Sequence, residues 1–254
     1  MPRYKLVVEY DGAPFRGWQR QAEDLTVQGA VEEAVTRFSG ESPRLTCAGR
    51  TDAGVHATHQ VAHLDLVRDW RTDTVRDALN AHLRPLPVSV VSAEIVPPTF
   101  DARRSAIRRH YRYRILNRRS PAALTRAHVW HVPWALDAGL MHEAARGLLG
   151  HHDFTAFRAA ECQANSPMRT LERLDVALVT MGLFEEIVVT TAARSFLHHQ
   201  VRAMVGTLMM AGCRRFSTSD VADILASRDR SRCGPMAPAQ GLTFVGVDYP
   251  PHSD

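Results

Sequence analysis

Hydrophobic and polar positions alternate from the start of the chain. Tyr4, Leu6, Val8 and Tyr10 fall on one face, with Lys5 and Glu9 on the other, which predicts a half-buried strand over 4–10. Asp11-Gly12 then turns the chain. After Thr26 the period changes to 3.6. Val27, Ala30, Val31, Ala34, Val35 and Phe38 line one face of a helix that Thr26 can cap and Gly40 can close. A short strand over 44–48, a glycine-containing loop over 49–54, a strand over 58–66, a helix over 73–83 and a strand over 88–95 follow. This is β-α-β-β-α-β, the ferredoxin-like order. The second half is looser. It offers a strand over 107–116, a helix over 137–149, two strands flanking Gly182, helices over 197–211 and 220–226, and a closing strand over 242–249. The expected fold class is α+β: two ferredoxin-like, RRM-like halves sharing a central, mostly antiparallel sheet flanked by helices. Pro97-Pro98 marks the boundary, giving an N-terminal half over 1–100 and a C-terminal half over 101–254.

With 254 residues, 45% of them hydrophobic and 23% charged, the chain can bury a core and is too apolar for a disordered one. No run approaches the ~18 apolar residues of a membrane span. The first twelve residues lack the apolar stretch of a signal peptide. Cys47, Cys162, Cys213 and Cys233 lie far apart with no CxxC pair, which suits a reducing cytoplasm better than a zinc ribbon or a disulfide framework.

Charge changes the picture. Lys5 is the only lysine beside 30 arginines, a bias that codon usage can explain, but the placement is uneven. Residues 102–136 hold nine arginines and no Asp or Glu, so that stretch carries +9 within a net charge of +4 and leaves −5 on the rest. A concentrated basic stripe on an acidic body suits a polyanion, and equally a solvated, ion-paired face.

The candidate chemistry sits in Gly49-Arg50-Thr51-Asp52-Ala53-Gly54-Val55-His56-Ala57, between two expected strands. Gly49 and Gly54 permit positive φ and close approach of a ligand. Arg50 stands beside Asp52 and favours its ionised form, usable as a nucleophile or base. Taken alone, such a loop reads first as a turn in which Asp52 bonds nearby N–H groups. In the strand over 107–116, Ile107, Arg109, Tyr111, Tyr113 and Ile115 share one face, and Arg108, Arg112 and Arg114 the other. Tyr113 reads as core. His56, His59 and His63 do not share one face of a strand, and no metal site is expected from them.

The loop resembles the signature of the tRNA pseudouridine synthases of the anticodon arm, the TruA family, and the agreement spans nearly the whole chain. It includes Phe15-Arg16-Gly17-Trp18-Gln19-Arg20-Gln21, Val27-Gln28, Phe100-Asp101-Ala102-Arg103 and Tyr111-Arg112-Tyr113. Asp153-Phe154-Thr155-Ala156-Phe157, His198-His199 with Val201-Arg202, and Ala237-Pro238-Ala239-Gln240-Gly241-Leu242 follow in order. Leu197 and Gln200 depart from the pattern, standing where many relatives carry other apolar residues, and Thr243 replaces a frequent aromatic. The resemblance implies an enzyme that detaches uracil from C1′, turns it and rejoins it through C5, at positions 38–40 of tRNA, with no cofactor. It places the nucleophile on Asp52, with attack at C1′ and at C6 both open. The stacking tyrosine falls on Tyr111, the arginine that pairs with the carboxylate on Arg202, and part of the apolar floor on Leu242, with Arg50 beside the nucleophile. A homodimer holding one tRNA across both subunits is implied as well, with the anticodon arm as the part modified. The target uridine must be flipped out of its stem, and Arg16, Arg20, Arg108, Arg112 and Arg114 are candidates for holding the tRNA backbone. Two other readings are a tRNA-binding protein without catalysis and an Asp-dependent nucleosidase or nuclease.

Overall fold

The alternation at the N-terminus becomes strand β1 (Arg3–Tyr10), whose Tyr4, Leu6, Val8 and Tyr10 are all buried. The 3.6 period becomes α1 (Val27–Ser39). Thr26 caps it by accepting the Gly29 N–H, and Gly40 closes it in the left-handed region. β2 (Thr46–Cys47), β3 (His56–Asp65), α2 (Thr72–Leu83) and β4 (Val88–Val96) follow. The structure, a computed structural model, describes residues 1–181 and 184–250. These form two compact units, one of Met1–Arg109 with the segment from Thr243, the other of His110–Leu242.

In the first unit β4, β1 and β3 lie side by side with β2 on β3, antiparallel throughout, which is the expected ferredoxin-like arrangement. β10 (Leu242–Asp248) joins it in parallel, pairing Thr243 with His56 and Phe244 with Ala57. Since β1 covers one edge of β3 over its length, the short β2 and β10 share the other. Val27, Val31 and Val35 of α1 and Val75, Leu79 and Leu83 of α2 supply the helical side of this core.

The second unit contains most of β5 (Arg108–Asn117), then β6 (Trp130–Val132), α3 (Ala138–Arg146), β7 (Gly150–Asp153), β8 (Met168–Met181), β9 (Phe184–Ala193), α4 (Gln200–Gly212) and α5 (Thr218–Ser227). Its strands run in the order β5-β9-β8-β7, with β6 parallel to β5. β8 and β9 are the two adjacent strands expected there; Gly182 lies outside the described residues. The fold class is thus α+β with mostly antiparallel strands. β6 and β7 are not anticipated by the sequence pattern, because three or four residues are too few to display a period. α3 stops at Arg146, short of the expected 149, where the Gly147 N–H closes on the Ala144 carbonyl. Phe154, Phe157, Leu171, Leu174, Ile187, Val189, Met204 and Leu208 are core residues here. A Cβ on Gly206 of α4 would run into the Pro235 carbonyl, so this helix lies directly against the 234–237 segment. Among the described residues, no helix is long and apolar enough to cross a membrane.

Candidate active site

Asp52 sits half-buried in a bend pinned on both flanks by its own unit. On the entry side, the Ala48 N–H donates to Val61 (2.8 Å) and the Trp18 N–H to the Thr51 carbonyl (3.0 Å). The Val55 N–H donates to the Asp52 carbonyl at 3.1 Å, and the Gly54 N–H to Phe15 at 3.3 Å. Gly54 adopts φ 76°, as its glycine implies, whereas Gly49 is not among the residues at positive φ. The second left-handed glycine is instead Gly17 (φ 91°), where a Cβ would lie 2.8 Å from the Thr51 carbonyl oxygen. Phe15–Trp18 therefore packs its backbone against the loop. This gives a physical reason for the 15–21 motif: Trp18 is 1% exposed and tilted against Tyr10 with centroids 5.9 Å apart, a packing residue.

Three buried side chains hold the same loop and were not singled out by sequence reasoning. Gln60 donates from Nε2 to the Gly49 carbonyl at 2.7 Å, and the Tyr10 hydroxyl shares a 2.8 Å hydrogen bond with Thr51 Oγ1. The buried Arg109 guanidinium donates to the carbonyls of Ala48 (2.8 Å), Arg103 (2.6 Å) and Ala106 (3.1 Å). Burial lifts the Tyr10 phenol above its usual range, hydrogen bonds from Thr51 and Gln60 opposing, and pushes the nearby Cys47 thiol up to about 12. Both groups are neutral at working pH.

Arg50 is exposed and belongs, with Asp52, to the first unit. Tyr111, Arg202 and Leu242 belong to the second. Tyr111 is half-buried on β5 and meets Phe196 edge to face, with centroids 5.2 Å apart. Tyr113, two residues on, is fully buried. Its hydroxyl donates to the Pro238 carbonyl at 2.7 Å, and its ring occupies the space a Cβ on Gly241 would need. Leu242 is 4% exposed. Arg202 lies in the first turn of α4, where its Nε donates to the Ala237 carbonyl at 2.8 Å and its own carbonyl accepts the Ala237 N–H. Two of the sequence motifs thus meet in one contact. His198 precedes α4, which begins at Gln200 rather than at the expected 197. His199 has φ 62°, and the Leu197 N–H is taken by Gln200 Oε1 at 2.8 Å. Gln200 thus builds this turn with its side chain.

The basic stretch is only partly a surface. Arg109 is internal, and Arg114 is held bidentate by Glu186 at 2.7 and 2.8 Å, both side chains largely buried. Arg108 lies 3.6 Å from Asp248, Arg20 bonds Glu32 at 3.0 Å, and Arg16 approaches Asp24 at 3.8 Å while staying 72% exposed. Arg112 is half-buried. Of the histidines, His56 Nδ1 accepts the Gly12 N–H at 3.0 Å and His63 Nδ1 the Ala102 N–H at 3.1 Å, while His59 is exposed. The 100–103 motif is structural in the same sense, since Phe100 packs against Tyr249 and Asp101 accepts the N–H groups of Arg103 and Arg104.

The family model described as tRNA pseudouridine synthase matches residues 6–103 and 144–250. A tRNA pseudouridine synthase A of Methylobacterium radiotolerans is 81% identical over 251 residues, covering 99% of each chain. One of Methylorubrum extorquens is 80% identical over 250 residues, 98% of this chain and 100% of that one. One of Azorhizobium caulinodans is 62% identical over 250 residues, 98% of this chain and 95% of the other. The pinned loop, the motifs that meet in contact and the near full-length identity lead to one assignment: this chain belongs to the tRNA pseudouridine synthase family.

Proposed function

We propose that this protein isomerises uridine to pseudouridine in the anticodon stem-loop of tRNA, at positions 38–40, with Asp52 as the nucleophile. The observation that carries this reading is a half-buried carboxylate in a bend held on both flanks, in a chain 81% identical to a tRNA pseudouridine synthase A. In the reaction the C1′–N1 bond breaks, the base turns, a C1′–C5 bond forms, and the C5 hydrogen leaves to water as N1 gains one. Nothing is oxidised or reduced, so the chemistry calls for no redox partner, and no cofactor is proposed.

A paired uridine hides its reactive edge, and extruding it costs a few kcal/mol. Tyr111 offers a ring on which a flipped base stacks, a contact of ~1–3 kcal/mol. Arg202, Arg50 and Leu242 serve the same reaction, the arginines as cations and Leu242 as apolar surface. Phosphate contacts from Arg16, Arg20, Arg108 and Arg112 offset the extrusion; Arg114 would have to exchange Glu186 for a phosphate to join them. The working form is a cytoplasmic homodimer. The test is an unmodified tRNA transcript incubated with purified protein. Pseudouridine mapped to positions 38–40 with unchanged tRNA mass is expected. Strand breaks or free uracil point instead to a nuclease or nucleosidase, and no product points to a binding protein.

A further inference from the structure

Gln60 is a costly residue for its place. It is fully buried in β3 beside Val61 and Ala62, and among the described residues its Oε1 has no hydrogen-bond partner. A hydrophobic side chain of similar length would fill that volume and leave no buried amide oxygen unpaired. What the amide supplies is its donor, aimed 2.7 Å from the carbonyl of Gly49, the first residue of the loop. The same Nε2 stands 3.5 Å from the Tyr10 hydroxyl, which shares its 2.8 Å bond with Thr51 Oγ1, one residue before Asp52. Thr51 is thereby held twice, by its side chain from Tyr10 and by its carbonyl from the Trp18 N–H.

We propose that Gln60, Tyr10 and Thr51 are positioning residues that fix the bend carrying Asp52, retained for turnover at the expense of stability. The proposal rests on Asp52 being the reacting carboxylate. Misplacing a reacting group by about 1 Å costs on the order of a hundredfold in rate, whereas substrate held elsewhere on the protein keeps its affinity. Because the phenol is neutral throughout the working range, its contribution is geometric and carries no titration of its own.

The test compares Thr51→Val, Thr51→Ser, Gln60→Met and Tyr10→Phe with wild type and with Asp52→Asn. The readouts are kcat and KM on tRNA transcript, tRNA Kd and melting temperature. Thr51→Val and Gln60→Met are expected to lower kcat by about tenfold or more, with KM and Kd within about threefold. Thr51→Ser, which keeps the hydroxyl, restores kcat to within about threefold of wild type. Gln60→Met melts no lower than wild type, which a merely structural role does not allow alongside a loss of kcat. The double variant Thr51→Val/Gln60→Met falls little below the worse single one, because both release the same bend. Wild-type kcat in Thr51→Val, Gln60→Met and Tyr10→Phe overturns the proposal. So does loss of activity only in step with loss of folded protein, or a Thr51→Ser no better than Thr51→Val. If Asp52→Asn turns over normally, the assignment of the nucleophile fails. If Asp52→Asn is inactive while the other variants are fully active, only the positioning role fails.

Discussion

Exchanging one carboxylate oxygen of Asp52 for an amide nitrogen preserves the shape of the side chain and removes its charge and nucleophilicity. Asp52→Asn is therefore expected to reduce turnover to background while tRNA affinity, measured by filter binding, stays within a few-fold; substantial residual turnover removes Asp52 from the role proposed for it. Its neighbours show how far single residues could be read from sequence. The odd-numbered face of β5 predicted Tyr113 as core, and its ring is fully enclosed with the hydroxyl on Pro238. Arg109 shares that face, but neither its burial nor its function was legible, because the carbonyls it holds come from residues 48, 103 and 106, which only folding assembles. Gln60 was hidden for the same reason: an amide amid apolar neighbours has no local signature, and its partner lies eleven positions away.

At the scale of elements, period and punctuation sufficed where an element was long and locally capped. Thr26 and Gly40 bracket α1 as expected, and the first unit has its ferredoxin-like order. Legibility ended where tertiary contacts set the boundary. Leu197–Gln200 is a turn rather than a helix start because a left-handed His199 and the Gln200 side chain close it. The pairing of β5 with β9 was equally invisible, although it decides the fate of Arg114, whose partner Glu186 lies on β9. With side chains 17% and 5% exposed, this pair sits where losing one partner strands the other's charge. Arg114→Met alone is expected to destabilise the fold by about 3 kcal/mol in urea unfolding, and Arg114→Met with Glu186→Leu to recover most of that loss. If the single variant instead melts normally and loses tRNA affinity, Arg114 belongs to the backbone contacts after all.

For the whole molecule, the excess of +9 in residues 102–136 is diluted by burial of Arg109 and pairing of Arg114, yet exposed cations remain at Arg103, Arg104, Arg108, Arg119 and Arg126. Each phosphate that such groups neutralise releases counterions, so tRNA affinity falls steeply with salt, a protein making several contacts losing orders of magnitude between roughly 50 and 200 mM. The expected titration is a steep log–log decline in affinity with kcat at saturating tRNA nearly unchanged; an affinity flat over that range contradicts the electrostatic account. Binding, however, does not distinguish an isomerase from a protein that merely holds tRNA. Forming a carbon–carbon glycosidic bond at C5 must expel the hydrogen that was there. Transcript labelled with tritium at uridine C5 should therefore release label to water, one equivalent per uridine converted, from wild-type protein and not from Asp52→Asn; label retained in intact tRNA after prolonged incubation with the wild type would contradict the account at its centre.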